Sequence, residues 1–283
     1  MIFRARQFEY RFPRPALVMG IVNVTPDSFS DGGLFLEPAS AIEHARKLVG
    51  DGADLLDIGG ESTRPGARGV SAEEERQRVV PVLEALQGVG VPISIDTSKA
   101  SVAAPALDAG AEIVNDVTGL RSDPKLAALC AERDCGVVLM HMQGTPRTMQ
   151  ESPVYDDVVD DVRAFLAERI EFAIGEGIAE ERIWVDPGIG FGKTVEHNLE
   201  LLRRLGELRA LGRPIVVGTS RKSFIGKVTW RELDDRLGGT IASNVLALRA
   251  GAEVLRVHDV AEVRQALRVA EAILDAGRGP RAG

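Results

Sequence analysis

Gly52-Ala-Asp-Leu-Leu-Asp-Ile58 decides how this 283-residue chain is read, because the same design returns as Gly110-Ala-Glu-Ile-Val-Asn-Asp116 and Gly251-Ala-Glu-Val-Leu-Arg-Val257. A glycine in the left-handed region closes a helix, and the apolar run behind it enters a core as a strand. Working outward, eight such runs appear: Leu17–Val24, Asp54–Gly59, Pro92–Asp96, Glu112–Val117, Gly136–Met142, Ile183–Asp186, Pro214–Gly218 and Val254–His258. Between them apolar residues recur at helical spacing, with Val79, Val82, Leu83 and Leu86 on one face and Val263, Ala266, Leu267, Ala270 and Leu274 on another. Strand and helix in alternation predict a parallel sheet. Any α/β sheet uses such turns, but eight units without a linker select a closed α/β TIM (βα)8 barrel over an open doubly wound sheet. Residues 1–276 are read as one barrel domain, and the Gly-, Arg- and Pro-rich residues 277–283 as a frayed tail.

Composition agrees with a soluble enzyme. Apolar residues make up 45% of the chain, enough for a large core, and no apolar run approaches the length of a membrane-spanning helix. Cys130 and Cys135 lack CxxC or His-rich companions and read as packing residues in a reducing compartment. Met1 to Pro15 is studded with Arg4, Arg6, Glu9, Arg11 and Arg14 and has no apolar signal core, so a cytoplasmic location is expected. A net charge of −8 without a basic run argues against nucleic-acid binding, and leaves any anionic ligand to local donors.

The strands end on polar residues: Asn23, Asp57, Asp96, Asn115 with Asp116, His141, Asp186, Ser220-Arg221-Lys222-Ser223, and Arg256 with His258. A parallel barrel brings such ends to one face, where active sites are built. One polar strand end is explained as a cap or loop anchor, a reading that remains open for Asp116 and His141; polar ends at nearly every strand call for more. Asp96 and Asp186 follow apolar strands and become partly desolvated, which is costly unless a ligand or cation donates to them. With Asn115 they suit a flat, nitrogen-rich heterocycle, while Lys222 and Arg256 add positive charge. Internal pairing, for example of Lys222 with Asp186, can coexist with that use.

Two connections, over 25–37 and 60–70, are longer than minimal βα loops and read as binding loops. In the second, Thr63 and Arg64 offer hydroxyl and guanidinium donors to a phosphate. Pro187-Gly-Ile-Gly-Phe-Gly-Lys193-Thr194 imitates a nucleotide-binding P-loop but puts Pro187 where the first glycine belongs, in a barrel that is the wrong context for it. Near Ser223 a helix start could receive a carboxylate, which implies a second, acidic substrate.

These residues carry a family resemblance. MGIVNVTPDSFSDGG from Met19, LDIGGESTRPG from Leu56, IDTSKA from Ile95, VNDVTGL from Val114, LMHMQGTPRTMQ from Leu139, DPGIGFGKT from Asp186, GTSRKSFIG from Gly218 and RVHDV from Arg256 resemble, in order, the blocks of the dihydropteroate synthase family. The resemblance implies a transferase of folate biosynthesis that condenses 6-hydroxymethyl-7,8-dihydropterin pyrophosphate with 4-aminobenzoate. It implies a pterin set of Asp96, Asn115, Asp186 and Lys222, and a pyrophosphate set of Thr63, Arg64, Arg256 and His258, with Asn23 meeting Mg2+ on the leaving group. Asp96, Asp186, Lys222, Arg256 and His258 would carry the chemistry. Phe29, Thr63, Pro65, Phe191, the stem of Lys222 and Ser223 would hold aminobenzoate, with the two long loops closing after pyrophosphate binds, and the assembly would be a homodimer. Ser243 and Asn244 depart from the small apolar residues more usual there, which bears on helix packing and the subunit contact. A folate-binding methyltransferase domain that serves a corrinoid would not need the ESTRPG, SRKS and RVHDV blocks, and a pterin-binding homologue without turnover would not need Asn23, Arg64, Lys222 and His258 intact.

Overall fold

The computed structural model describes residues 1–25, 38–62 and 69–276. Most of the two long connections, with Phe29, Thr63, Arg64 and Pro65, and the tail at 277–283 lie outside the described residues. After an N-terminal hairpin come eight parallel strands: β3 (Leu17–Asn23), β4 (Leu55–Gly59), β5 (Ile93–Asp96), β6 (Ile113–Asp116), β7 (Gly136–Met140), β8 (Ile183–Asp186), β9 (Val216–Val217) and β10 (Val254–Val257). They pair in the order β8-β7-β6-β5-β4-β3-β10-β9. A parallel bridge between Val185 and Ile215 joins the two ends and closes the barrel, with the Val185 amide donating to Pro214 O at 3.0 Å. All eight expected strands are present; β9 is the shortest.

Gly52, Gly110 and Gly251 take φ of 101°, 114° and 104°, so the repeated motif is the helix stop that it was read to be. The wrapping helices are α1 (Pro38–Gly50), α2 (Ala72–Ala85), α3 (Ala100–Asp108), α4 (Leu126–Glu132), α5 (Val158–Gly175), α6 (Val195–Arg203), α7 (Ser223–Thr229), α8 (Leu237–Ala250) and α9 (Val260–Asp275). At the start of α2 the Ser71 hydroxyl accepts from the Glu74 amide at 3.1 Å, and Glu73, Glu74 and Glu75 face the positive end of the helix dipole. Val79, Val82, Leu83 and Leu86 are buried beneath it. On α9, Val263, Leu267 and Ala270 are buried, but Leu274 remains 40% exposed.

The hairpin corrects the reading of the N-terminus, in which no strand was expected. β1 (Ile2–Ala5) and β2 (Phe8–Arg11) pair antiparallel across Arg6-Gln7, with Arg6 at φ 50°. Its buried residues Phe3, Ala5 and Tyr10 join Leu17, Met19, Leu55, Ile113, Val138, Trp184, Val216 and Val254 in an inner core distinct from the larger one between strands and helices. Phe3 stacks on Trp184 with ring centroids 3.7 Å apart. The hairpin thus caps the strands' N-terminal ends and leaves the opposite mouth for chemistry. Four-residue strands with arginines on the wet face carry too little periodic signal to stand out in sequence.

Packing here is tight enough to test. A Cβ on Gly136 would lie 2.5 Å from Phe3 Cζ and 3.1 Å from Ala5 Cβ. Gly136→Ala is therefore expected to lower unfolding stability by about 1–3 kcal/mol, and Phe3→Leu in the same chain to return part of it. Urea titration of the two single variants and the double variant measures this; additive losses would contradict the contact.

Candidate active site

Side chains on a strand alternate between faces, so the inner core fixes which polar residues look into the barrel. Leu55, Ile113, Trp184 and Val254 point inward. Two residues on, facing the same way, stand Asp57, Asn115, Asp186 and Arg256. Register adds the neighbours: Asn23 pairs with Gly59, Gly59 with Asp96, and Asp96 with Asn115. Gly59 keeps this row open, since a Cβ there would touch Asp96 Cβ at 3.4 Å.

Arg256 ties the layer together. Its Nε donates to Asp57 Oδ2 at 2.6 Å and its Nη2 to Asp96 Oδ2 at 3.0 Å. Asn115 Nδ2 donates to the same Asp57 oxygen at 3.1 Å. Asp57 is fully buried, and its Oδ1 has no partner among the described residues. Two carboxyls share one guanidinium, and burial together with the Asp57 charge raises the Asp96 carboxyl above the usual carboxylate range. Across the mouth, burial pushes Asp186 up to about 6, although the Gly188 amide donates to its Oδ1 at 2.7 Å and Lys222 lies in its field. These are carboxyls short of donors. A flat ligand with several N–H groups would satisfy them.

The loop from β9 to α7 brings the cationic side. Lys222 Nζ sits 4.1 Å from the centre of the Phe191 ring, which brings together two residues of the aminobenzoate set that the resemblance implies. Ser223 is the exposed first residue of α7. Arg221, at φ 58°, donates from Nε to Asp259 Oδ2 at 3.0 Å. Ser220 Oγ lies 3.0 Å from His258 Nδ1, and burial with the neighbouring Arg256 charge depresses His258 to about 3, so it is a neutral imidazole at physiological pH. The departure at Ser243 and Asn244 does not loosen α8: both are buried, and Ser243 Oγ and Asn244 Nδ2 donate to Thr219 Oγ1 at 2.9 and 3.0 Å. They fasten the helix to the loop that carries Lys222.

Asp116 and His141 have the opposite parity and turn away from the mouth. Asp116 accepts from the amides of Thr118 and Leu120 at 2.8 and 2.7 Å, which makes it a loop anchor. His141 is held by Lys193 Nζ at 2.8 Å, within the segment that imitates a P-loop. That lysine points into protein rather than toward an anion. Asp57 is the residue whose importance the sequence understated; counting faces from Leu55 was the signal that could have found it. Beside Asp96 the mouth continues into a cavity of about 580 Å³ lined partly by Thr97, Lys99, Arg121, Met142 and Arg147.

Comparison with known proteins accords with this geometry. Residues 19–258 match the pterin binding enzyme family. The chain is 49% identical to the dihydropteroate synthase of Escherichia coli (strain K12) over 265 residues, 93% of this chain and 94% of that protein. It is 47% identical to that of Synechocystis over 258 residues, covering 90% and 89%. The dihydropteroate synthase of Yersinia pestis, solved with a sulfonamide drug, superposes with a TM-score of 0.92 at 45% identity, covering 97% of this chain and all of that one. That of Xanthomonas albilineans, solved with 7,8-dihydropteroate, gives 0.87 at 44% identity, covering 97% and 99%.

Proposed function

The chain belongs to the dihydropteroate synthase family of pterin-binding enzymes, and on that premise we propose how its barrel mouth divides the family's reaction. That reaction joins 6-hydroxymethyl-7,8-dihydropterin pyrophosphate to 4-aminobenzoate and releases pyrophosphate. The observation that carries the assignment is the inward layer itself, in which the acceptors of Asp96, Asn115 and Asp186 stand beside the Arg256 and Lys222 cations. Asp96, Asn115 and Asp186 accept from the ring and amino N–H groups of the pterin, and Lys222 donates to it. Arg256 and neutral His258, with Thr63 and Arg64, face the pyrophosphate. When the methylene C–O bond breaks, its electron pair leaves on pyrophosphate oxygen; the positive charge left on the pterin is opposed by the buried carboxylates. The arylamine nitrogen then bonds to the methylene carbon and releases a proton to solvent. Ser223 receives the aminobenzoate carboxylate, and Phe29, Pro65, Phe191 and the Lys222 stem enclose its ring, with the connections at 25–37 and 60–70 completing the pocket after pyrophosphate binds.

Magnesium fits this rim. Asn23 supplies an amide oxygen at a strand end, and the substrate supplies anionic oxygens, the sparse protein ligation typical of this ion. Bound there, it would neutralise charge on the leaving group.

Mixing the protein with both substrates and magnesium tests the reading. Pyrophosphate release should depend on aminobenzoate; release at the same rate without it would refute the assignment. Affinity should also follow pH. Ligand N–H groups favour ionised carboxyls, whereas Asp96 and Asp186 hold protons more tightly than ordinary carboxyls, so binding expels protons as the pH falls toward about 6 and below. Calorimetric titration of the pterin pyrophosphate should therefore weaken by about tenfold from pH 8 to pH 5.5. A flat profile would contradict the role of the carboxyls.

We further propose a homodimer. An apolar groove of about 660 Å³ runs between α6, α7 and α8, lined by Leu199, Phe224, Val228 and Leu246, with Leu246 59% exposed and Trp230 close by in sequence at 90%. So much exposed apolar surface supports a second copy as its cover. Sedimentation should give a dimer that Leu246→Glu dissociates. The two free, buried cysteines, and the lack among the described residues of any helix long and apolar enough to cross a membrane, support a cytoplasmic enzyme, with residues 1–276 as one unit.

A further inference from the structure

Lys193 is only 3% exposed, and no step above employs it. Its Nζ donates to Gly188 O at 3.0 Å, to Phe191 O at 2.9 Å and, at 3.5 Å, to His141 O, and it lies 2.8 Å from His141 Nδ1. Gly188, Gly190 and Gly192 run at φ of 68°, 83° and 62°, and a Cβ on Gly188 would collide with His141 O. The turn therefore lies flat against the exit of β7. Its other polar groups are also engaged: Gly190 O accepts from Gln150, Gly192 O accepts from the Tyr155 hydroxyl, and the Gly190 amide donates to Asn198. In a phosphate-binding loop the amides face an anion. Here the carbonyls face the buried Lys193 Nζ.

We infer that Lys193 is a positioning residue: its buried Nζ clips the Gly188–Gly192 turn to His141 and so fixes the Phe191 ring beneath Lys222, shaping the arylamine subsite. Burial lowers Lys193 to about 7 and the charge of Asp186 opposes that fall; burial and the Lys193 charge press His141 down to about 2, which keeps its Nδ1 an acceptor. The inference rests on Phe191 walling the aminobenzoate ring. Of the pterin floor, Asp96 and Asn115 stand on β5 and β6, away from the turn, and Asp186 meets it through the Gly188 amide alone, so the clip should weigh far more on the arylamine than on the pterin.

The test uses the full chain with Lys193→Met, which keeps the stem and removes the Nζ donor. KM for aminobenzoate should rise about tenfold, while the Kd for pterin pyrophosphate, titrated without aminobenzoate, stays within about twofold. An unchanged KM, or an equal loss for both substrates, overturns the inference. Phe191→Ala separates the two layers of reasoning. If it raises KM and Lys193→Met does not, only the clip fails; if it leaves KM unchanged, the wall assignment fails and takes the clip with it. Should Lys193→Met not fold, His141→Asn withdraws one partner of the Nζ and is expected to raise the same KM about threefold, and no rise refutes the clip.

Discussion

Arg256→Met is expected to produce a chain with no measurable dihydropteroate formation and a much lower unfolding stability. Methionine fills much of the stem's volume but leaves Asp57, fully buried, and Asp96 facing each other without the guanidinium they share. Removing one partner of a buried ionic cluster costs about 3–5 kcal/mol, because the remaining charge has nowhere to go. Adding Asp57→Asn should restore most of the stability and none of the turnover, since the cation proposed to face pyrophosphate is still missing. Urea denaturation and pyrophosphate release, followed in parallel on the single and double variants, decide this. A stable, active Arg256→Met chain would show that the cluster is neither a structural nor a catalytic unit.

Asp186→Asn should do the reverse to stability. Asparagine keeps an oxygen for the Gly188 amide but cannot carry charge. In the folded protein Asp186 binds its proton up to about pH 6, above an ordinary carboxyl, so the folded state holds the proton more tightly than the unfolded one. Stability therefore falls as pH rises from the ordinary carboxyl range through about 6, and at pH 8 the full cost of a buried charge is present. The variant escapes it, and its thermal midpoint at pH 8 should exceed that of the parent. Its kcat/KM should drop by about 10²–10³, the usual loss when one preorganised electrostatic partner of a transition state is removed. Retained activity would remove Asp186 from the pterin floor; a lowered midpoint at pH 8 would mean that the carboxylate is better satisfied than its surroundings indicate.

Both expectations come from a layer that was half visible in the sequence. Asp96, Asn115, Asp186 and Arg256 announce themselves by ending strands, because a parallel barrel gathers every strand end on one face whatever the helices do. Asp57 was as visible as they were, yet its place as the partner of Arg256 depends on a contact between residues 199 positions apart. Parity along the strand would have separated it from Asp116 and His141, whose roles lie in anchoring loops. Lys193 was hidden in another way, since its motif points to a phosphate and only the turn's fold shows its Nζ buried among carbonyls. The hairpin at Ile2–Arg11 was missed because its strands are four residues each and owe their order to Trp184, far along the chain.

By itself the sequence determined the repeat of strand and helix, and with it a parallel sheet and the face that carries chemistry; the choice of a closed barrel rested on eight units without a linker, and the family on the ordered blocks. These follow from local rules: glycine at a helix stop, β-branched runs and apolar spacing act within a few residues and need no knowledge of the rest. Only the tertiary structure decided which carboxyl shares Arg256, which polar ends look inward, what caps the barrel floor and why Ser243 and Asn244 suit their helix. Those matters depend on burial and on distances between groups far apart in the chain, and the energy of a charge in a protein is set by what surrounds it in space.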